Sequence, residues 1–408
     1  MNSCLIKAFC MMSLCLQFSL TAMAKGITVS VSNTTDMQRQ ELVELDADTV
    51  FSRLGIKPTD NLIVKNALGQ EVAYQKTYDG KILIDAHVRP NGTATFTVEQ
   101  GTPKPMKLYA FGRLYEERLD DMTWENDRGI YRMYGPALQK RGEKAYGVDV
   151  WTKNTPELVV YKRYSREFSM YDKQRELRKE GKDNEAKELE KEMSYHLDHG
   201  YGHDCYAVGP TLGCGTPALL DGDSLIMPYC FITHKILDNG PLRFTVQLDY
   251  NPTAIKGDNS VTEHRIVSLD KGSNYNRITV WYDGLTKACD MAAGVVIHSS
   301  DTKSVCCGDD YVLYADPTEN AEKNNTQLYV GVVFPNGVKA TKKLLYDKQE
   351  NGIAGHAVGI ADYLPGERYT YYFGSAWSLY DVRTFNEWKL RSTEFLNSLH
   401  KPLKVTIL

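Results

Sequence analysis

Residues 195–215 read YHLDHGYGHDCYAVGPTLGCG, and the rest of the chain is interpreted around them. The stretch holds three of the nine histidines, two aspartates, two cysteines and five glycines. His196 and His199 are three apart and His199 and His203 four apart, spacings that share one helical face. Gly200 and Gly202 lie between them, however, and glycine is costly inside a helix. The pattern therefore predicts an irregular loop of small and polar residues that runs into a buried strand or turn. Titratable side chains concentrated on a loop point to binding or catalysis. The plainer alternative is a tight glycine-rich crossover whose histidines bond to backbone.

On both sides of this loop the sequence is strand-like. Before it, ITVSVSN, ELVEL, NLIVKN, KILIDAHV, ATFTVEQ and KLYAFGRL are short, alternating or β-branched, with Gly, Pro, Asn and Asp between them. Residues 66–69 and 79–80 read as hairpin turns. Residues 25–115 are expected to form an amino-terminal β lobe of sandwich type, continuous with a main β body over 116–408. After Gly215 come MPYCFITHKIL, LRFTVQLDY, TEHRIVSLD, NRITVWYDG, AGVVIHSS, DYVLYAD, QLYVGVVF, AVGIADYL and RYTYYFGSAW, all strand candidates. The fold class is mainly β.

Two segments depart from this pattern. Fifteen of the 21 residues from Asp172 to Glu192 are charged, which predicts a short, solvated helical insertion at 171–193 with Gly181 between two arms. It leads directly into the histidine loop and is placed to orient it. Near the end, Thr384 and Glu387 fit a capping box, and Phe385, Trp388, Phe395, Leu396 and Leu399 make the apolar stripe of one amphipathic helix. The final LKVTIL reads as a strand returning to the body. Residues 121–138, DMTWENDRGIYRMYGPAL, mix aromatic and charged side chains with neither period, and YGVDVW (146–151) repeats the mixture.

Lys7, the apolar run 8–20 and the small residues Ala22 and Ala24 read as a secretory leader over residues 1–24. The expected address is therefore exported, periplasmic or extracellular, and the apolar run is too short to span a membrane. Cys15 follows Leu14, not a small residue, so a lipid anchor is not expected. Six cysteines remain beyond the leader and allow 15 pairings, although a body this large needs none for its core. A net charge of −4 argues against a nucleic-acid partner. The chain has no P-loop, GxSxG elbow, HExxH or glycine-rich turn opening a helix, so no nucleotide or nicotinamide cofactor and no serine-hydrolase triad are expected.

Taken together, WENDRGIYRMYGPAL, YGVDVW, the 195–215 loop and the late YYFGSAW resemble a secreted bacterial family catalogued as a domain of unknown function. The resemblance covers nearly the whole chain after the leader. It implies an antiparallel β-supersandwich of the galactose-mutarotase-like kind and an association with polysaccharide degradation. The paired segments in TEHRIVSLDKGSNYNRITVWYDG are similar to the long strands of such sandwiches. His196, Asp198, Gly200, Gly202, Asp204, Tyr206, Gly209, Leu212, Gly213 and Gly215 match the family pattern. Thr211 and Cys214 stand where Ser and Gly are usual.

Fold does not set chemistry, so three readings of the site are carried forward. The first is a polysaccharide lyase acting by β-elimination on uronate-containing glycans. His196 or His199 would be the base, Tyr206 would protonate the leaving oxygen and Arg132 would hold the uronate carboxylate. Asp198 or Asp204 would orient a histidine. The second is a glycoside hydrolase using Glu125 with Asp198, or Asp198 with Asp204, with a mutarotase-like epimerase as a variant. The third is a non-catalytic glycan-binding protein whose platforms are Trp124, Trp151, Trp281 and Trp377. A divalent metal held by His196, His199, His203 and Asp204 stays open, since the residue types suit zinc or calcium but the spacing matches no standard motif.

Overall fold

A computed structural model describes residues 26–317 and 326–408, so the leader at 1–24 lies outside the described residues. The fold is an antiparallel β-supersandwich preceded by a smaller β lobe. In the first strand, Ile27–Ser32, alternation turns Ile27, Val29 and Val31 inward. That strand lies between Lys404–Ile407 and Thr93–Gln100, and Leu62–Asn66 and Glu71–Val72 complete a five-stranded sheet. Facing it, Arg39–Asp46, Lys81–Val88 and Tyr74–Lys76 form a three-stranded sheet, and the two sheets share one apolar core.

A helix that the strand-like reading does not anticipate, Ala47–Leu54, closes this lobe with Val50, Phe51 and Leu54 buried. Its start and stop are local. The Asp46 carboxylate accepts from the Thr49 N–H at 2.9 Å, and Gly55 ends the helix at φ +70°. Because the last strand pairs with Ile27–Ser32, the end of the chain is tied to the lobe that begins it.

In the main body a nine-stranded sheet runs in the order Phe231–Asn239, Arg243–Tyr250, Asp258–Asp270, Tyr275–Asp283, Tyr369–Trp377, Leu328–Val333, Tyr311–Asp316, Val305–Cys307, and Thr253–Ile255 pairs off this path. One face packs on a five-stranded sheet built around Cys214–Asp221, Cys289–Ile297 and Ile353–Tyr363. The carboxy-terminal helix Phe385–His400 covers part of the other face with Trp388 and Leu396. At its start Thr384 Oγ1 accepts from the Glu387 N–H at 3.2 Å, while Glu387 reaches back to the N–H of Arg383 at 2.6 Å.

Residues 121–138 show no period because both faces of their strands are covered. Asp121–Glu125 and Ile130–Met133 are buried at every position, in a four-stranded sheet with Phe111–Tyr115 and Asp149–Trp151. The helical insertion begins earlier than the charge run, at Val160. Helices Val160–Lys179 and Asp183–Met193 meet at Gly181, which takes φ +73°. The first helix buries Arg163, Tyr164, Glu167, Met170 and Gln174 at helical spacing, a stripe that is half polar and so escapes an apolar-periodicity reading. The six cysteines among the described residues form no disulfide with one another. No helix among the described residues is long and apolar enough to cross a membrane.

Candidate functional site

The loop 195–213 is irregular, as its glycines require, and it is clamped from three sides. Gly202 takes φ +91°, and a Cβ there would lie 2.2 Å from the Thr152 carbonyl oxygen. Gly213 takes φ +55°, with Val148 O equally close to a Cβ at 2.2 Å. Only glycine allows the loop to lie so near the strand at Asp149–Trp151. Thr152 doubles the attachment, donating its N–H to His203 O at 2.9 Å while its hydroxyl accepts from the His203 N–H at 2.9 Å. From the helix Val160–Lys179, Glu167 accepts the Tyr195 N–H at 3.0 Å, and Arg163 donates to the carbonyls of Thr152 and Tyr201. The insertion therefore fixes the loop through its buried polar stripe.

Beneath the loop sits a charged cluster. Arg132 and Asp149 are direct cross-strand partners, so their side chains share a face. The Arg132 guanidinium lies 2.6 Å from Asp149, 2.8 Å from Asp204 and 3.5 Å from Asp121. It also stands over the Trp151 ring at 5.1 Å and the Tyr134 ring at 4.8 Å. All four charged residues are buried, Asp149 and Asp121 completely. Burial drives the Asp149 carboxyl up to about 7 against the pull of Arg132, and it raises Asp121 in the same way. For Arg132 burial works against the charge, but Asp149 and Asp204 outweigh it and keep the guanidinium protonated. Among the three acids around one guanidinium, burial thus favours the neutral form most at Asp149.

His196 is where this cluster meets solvent. Its side chain is 55% exposed and its Nδ1 lies 3.6 Å from the Asp204 carboxylate. The same nitrogen is 3.2 Å from the Asp204 carbonyl oxygen. Both neighbours of Nδ1 are acceptors, which puts the ring proton on Nδ1 and leaves the Nε2 lone pair free. Nε2 has no hydrogen-bond partner among the described residues. An exposed imidazole whose Nδ1 is held by the Asp204 backbone carbonyl, with the Arg132-bound Asp204 carboxylate 3.6 Å away, is an arrangement that suits a base and its orienter.

The other expected site residues have different occupations. Asp198 is exposed and accepts the N–H groups of Gly200 and Gly202, both at 2.8 Å, so it shapes the turn. His199 Nε2 donates to Ser194 O at 2.8 Å. Tyr206 is buried and donates its hydroxyl to Gly213 O at 3.1 Å, and burial holds its phenol far above the usual range, so it has no path to a leaving group. Arg132 is 4% exposed, so burial keeps its guanidinium from a uronate even though Nε and Nη1 make no hydrogen bond among the described residues. Glu125 is saturated by Lys153 at 2.7 Å and by the N–H groups of Val159 and Val160 at the start of the long helix, each 2.8 Å away.

The tryptophan platforms are also corrected. Trp124 stacks between Tyr131 and Phe244 in the core and donates to Asn276 at 2.8 Å. Trp151 donates to Asp149 at 2.9 Å and stacks on Tyr195. Trp377 is 3% exposed and meets the His203 ring edge to face. None of these three presents a free face to a sugar; Trp281 is half-buried, with the His264 ring stacked on it and Arg368 over its ring at 3.8 Å. Among the described residues no three His, Cys, Asp or Glu side chains converge to hold a metal ion; His196, His199 and His203 turn to separate partners.

Two histidines outside the 195–215 stretch belong to the loop's support. His356 Nε2 accepts the Leu212 N–H at 3.2 Å, and burial lowers the ring's pKa to about 4. His298 Nε2 donates to Ala207 O at 2.7 Å while its Nδ1 faces Asp316 at 2.5 Å. Both stand in strand segments read only for their apolar neighbours, AGVVIHSS and the run before AVGIADYL. A lone polar residue in such a run is the sequence signal that marks them.

Comparison with other proteins gives one relative of similar length, longer solved structures and one family. It is 26% identical over 400 residues to a Formosa agariphila protein called "Uncharacterized protein P7", with 93% of each chain covered. Among solved structures it is similar to an alpha-mannosidase from Enterococcus faecalis V583, with 11% identity, a TM-score of 0.45, and coverage of 94% of this chain and 46% of that one. It is also similar to a protein in the Glycosyl Hydrolase Family 38 from Enterococcus faecalis, with 9% identity, a TM-score of 0.48, and coverage of 94% and 47%. The chain spans about half the length of these two solved structures. Residues 31–405 match the family model described as "Domain of unknown function (DUF4861)", and the chain belongs to that family.

Proposed function

We propose that the protein is an exported carbohydrate-active enzyme that uses His196 as a general base on a polysaccharide. The observation that carries this reading is the free Nε2 of an exposed His196 whose Nδ1 is oriented by buried Asp204. Within that reading β-elimination on a uronate is the preferred reaction, because one exposed imidazole can serve both halves of it: His196 Nε2 takes the C5 proton, the C4–O4 bond breaks as the C4=C5 double bond forms, and the resulting imidazolium returns the proton to the leaving oxygen. Two-carboxylate hydrolysis needs a pair of accessible acids. Here Glu125 is saturated, Asp204 is locked to Arg132 and Asp198 caps a turn, so neither expected pair is assembled. The export rests on the leader at 1–24, and the glycan class on the family resemblance. Tyr206 and Arg132 are withdrawn from the reacting groups; they hold the loop and the Asp204 carboxylate in place.

The test is incubation of the purified protein with a panel of uronate and neutral polysaccharides, followed by two readouts together. Ultraviolet absorbance of an unsaturated uronate rising with reducing ends is the expected result. Reducing ends without the chromophore would make the protein a hydrolase. Neither signal, with a glycan still raising the melting temperature, would make it a binding protein.

A further inference from the structure

The outer face of the nine-stranded sheet is covered by the carboxy-terminal helix at one end only. Between that helix, the amino-terminal lobe and the sheet lies a cavity of about 960 Å³, with Arg277, Tyr372, Ser268 and Arg243 among its lining residues. Register carries this face onward beyond the cavity. Arg277 stands opposite Tyr372 and Thr279 opposite Thr370, and Arg368 next reaches over the Trp281 ring at 3.8 Å. Alternation keeps Arg277, Thr279 and Trp281 on one side, while Ile278, Val280 and Tyr282 point into the core. Tyr78, 48% exposed at the tip of a lobe hairpin, lies near both arginines. Its N–H is fixed to Asp238 at 2.8 Å.

The charges along this groove are unevenly satisfied. Arg243 is paired with Glu44 and Asp270, Arg39 with Glu41, Lys271 with Asp85, and Arg128 and Arg391 both with Asp381. Arg277 and Arg368 have no carboxylate partner among the described residues. At the far end His264 Nδ1 bonds Asp249 at 2.6 Å and its ring stacks on Trp281, while Asp283 stands 3.2 Å from Nε2 with its side chain 71% exposed. The cavity's two unpaired acids, Asp36 and Glu394, belong to the lobe and the helix, not to the strand that carries Arg277. Four residues of strand separate the Arg277 row from the Trp281–Arg368 row, about 13 Å at the usual rise.

We infer that this groove binds an acidic linear glycan, bearing uronate or sulfate, whose anionic groups meet Arg277 and Arg368 while Tyr372 and Tyr78 flank the chain. The inference takes the glycan class from the proposed function and adds the charge of the polymer and a place for it apart from His196. A neutral glycan would leave both arginines without a counter-charge. A guanidinium meets a carboxylate or sulfate with two parallel donors, so each contact is directional as well as electrostatic.

The experiment is calorimetric titration of the His196→Ala protein, which separates binding from turnover. The probes are hexamers of galacturonate, of mannuronate and of sulfated galactose, with a neutral galactose hexamer for comparison. An acidic hexamer is expected to bind at low salt and to weaken as salt is raised, with the neutral one at least about tenfold weaker. Arg277→Ala and Arg368→Ala should each raise Kd by about tenfold or more, and Arg277→Lys should recover part of the loss. Unchanged melting temperatures keep the comparison one of folded proteins. Equal binding of acidic and neutral hexamers, no binding of any acidic hexamer, or parental affinity in Arg277→Ala would overturn the inference. Binding without product from any polymer would overturn the enzyme reading and keep the groove. Product formed undiminished by Arg277→Ala would do the reverse.

Discussion

His356 gives a pH-dependent stability that is worked directly from its surroundings. It is 1% exposed, and its Nε2 accepts the Leu212 N–H at 3.2 Å, a bond only a neutral imidazole can make. Burial, aided by the charge of His298, lowers the ring from 6.5 to about 4. Above pH 6.5 the ring is neutral in both folded and unfolded chains and contributes no pH dependence. As pH falls below that value the unfolded chain takes up a proton that the folded chain refuses, and stability drops until the folded ring titrates near pH 4. At about 1.4 kcal/mol per unit, the loss over this window is about 3 kcal/mol. His356→Gln keeps a neutral acceptor and removes the titration. Urea unfolding of both proteins should show the variant less stable by about 1–2 kcal/mol at neutral pH, from an imperfectly replaced hydrogen bond. By about pH 4.5 that gap should have closed or reversed, since only the parent carries this titration and every other group is common to both. An identical gap at both pH values would refute the reasoning.

Other consequences are equally specific. Arg132→Met leaves three buried acids without their guanidinium and should cost about 3–5 kcal/mol, read as a lowered urea midpoint, and adding Asp149→Asn should return part of it. Asp149→Asn alone should flatten the pH profile. With the carboxyl raised by burial to about 7, the folded chain keeps a proton that the unfolded one releases near 3.8, so the parent loses stability between those values as pH rises and the variant does not. A variant profile parallel to the parent's would count against the assignment. Glu125→Ala strips the charge partner from buried Lys153 and two acceptor bonds from the helix start; circular dichroism should report lower helix content and a melting loss corresponding to about 3 kcal/mol. Gly202→Ala sets a methyl at 2.2 Å from the Thr152 carbonyl, and faster proteolysis of the 195–215 loop is the expected readout.

The fold was legible wherever one strand face is wet. Ile27–Ser32 and Tyr275–Asp283 alternate in sequence and in burial. Where both faces are covered, as in Asp121–Glu125, every position is buried and the pattern vanishes, so aromatic and charged residues in the core read as a binding surface. Trp124 and Arg132 were misread for that reason: residue type suggested a sugar contact, and only tertiary packing reveals a core ring and a caged guanidinium. The helix Val160–Lys179 was half seen because its buried stripe is built from Arg163, Glu167 and Gln174, polar groups that hold a loop instead of filling a core. The histidine loop was located from its glycine and histidine content. Sequence spacing could not reveal that each of the three histidines is held through one ring nitrogen, or that His196 is the exposed one and the one beside the Asp204 carboxylate, since that depends on which carbonyls and carboxylates the folded chain presents to each ring.

The most direct test of the account is the initial rate of unsaturated-uronate formation by the parent and by His196→Ala on the same acidic polymer. The side chain is exposed, so the variant should melt as the parent does, and its rate should fall by about two to four orders of magnitude, as expected for loss of a general base. A folded His196→Ala protein that keeps its rate within about tenfold, a fall well short of a missing base, would contradict the central claim.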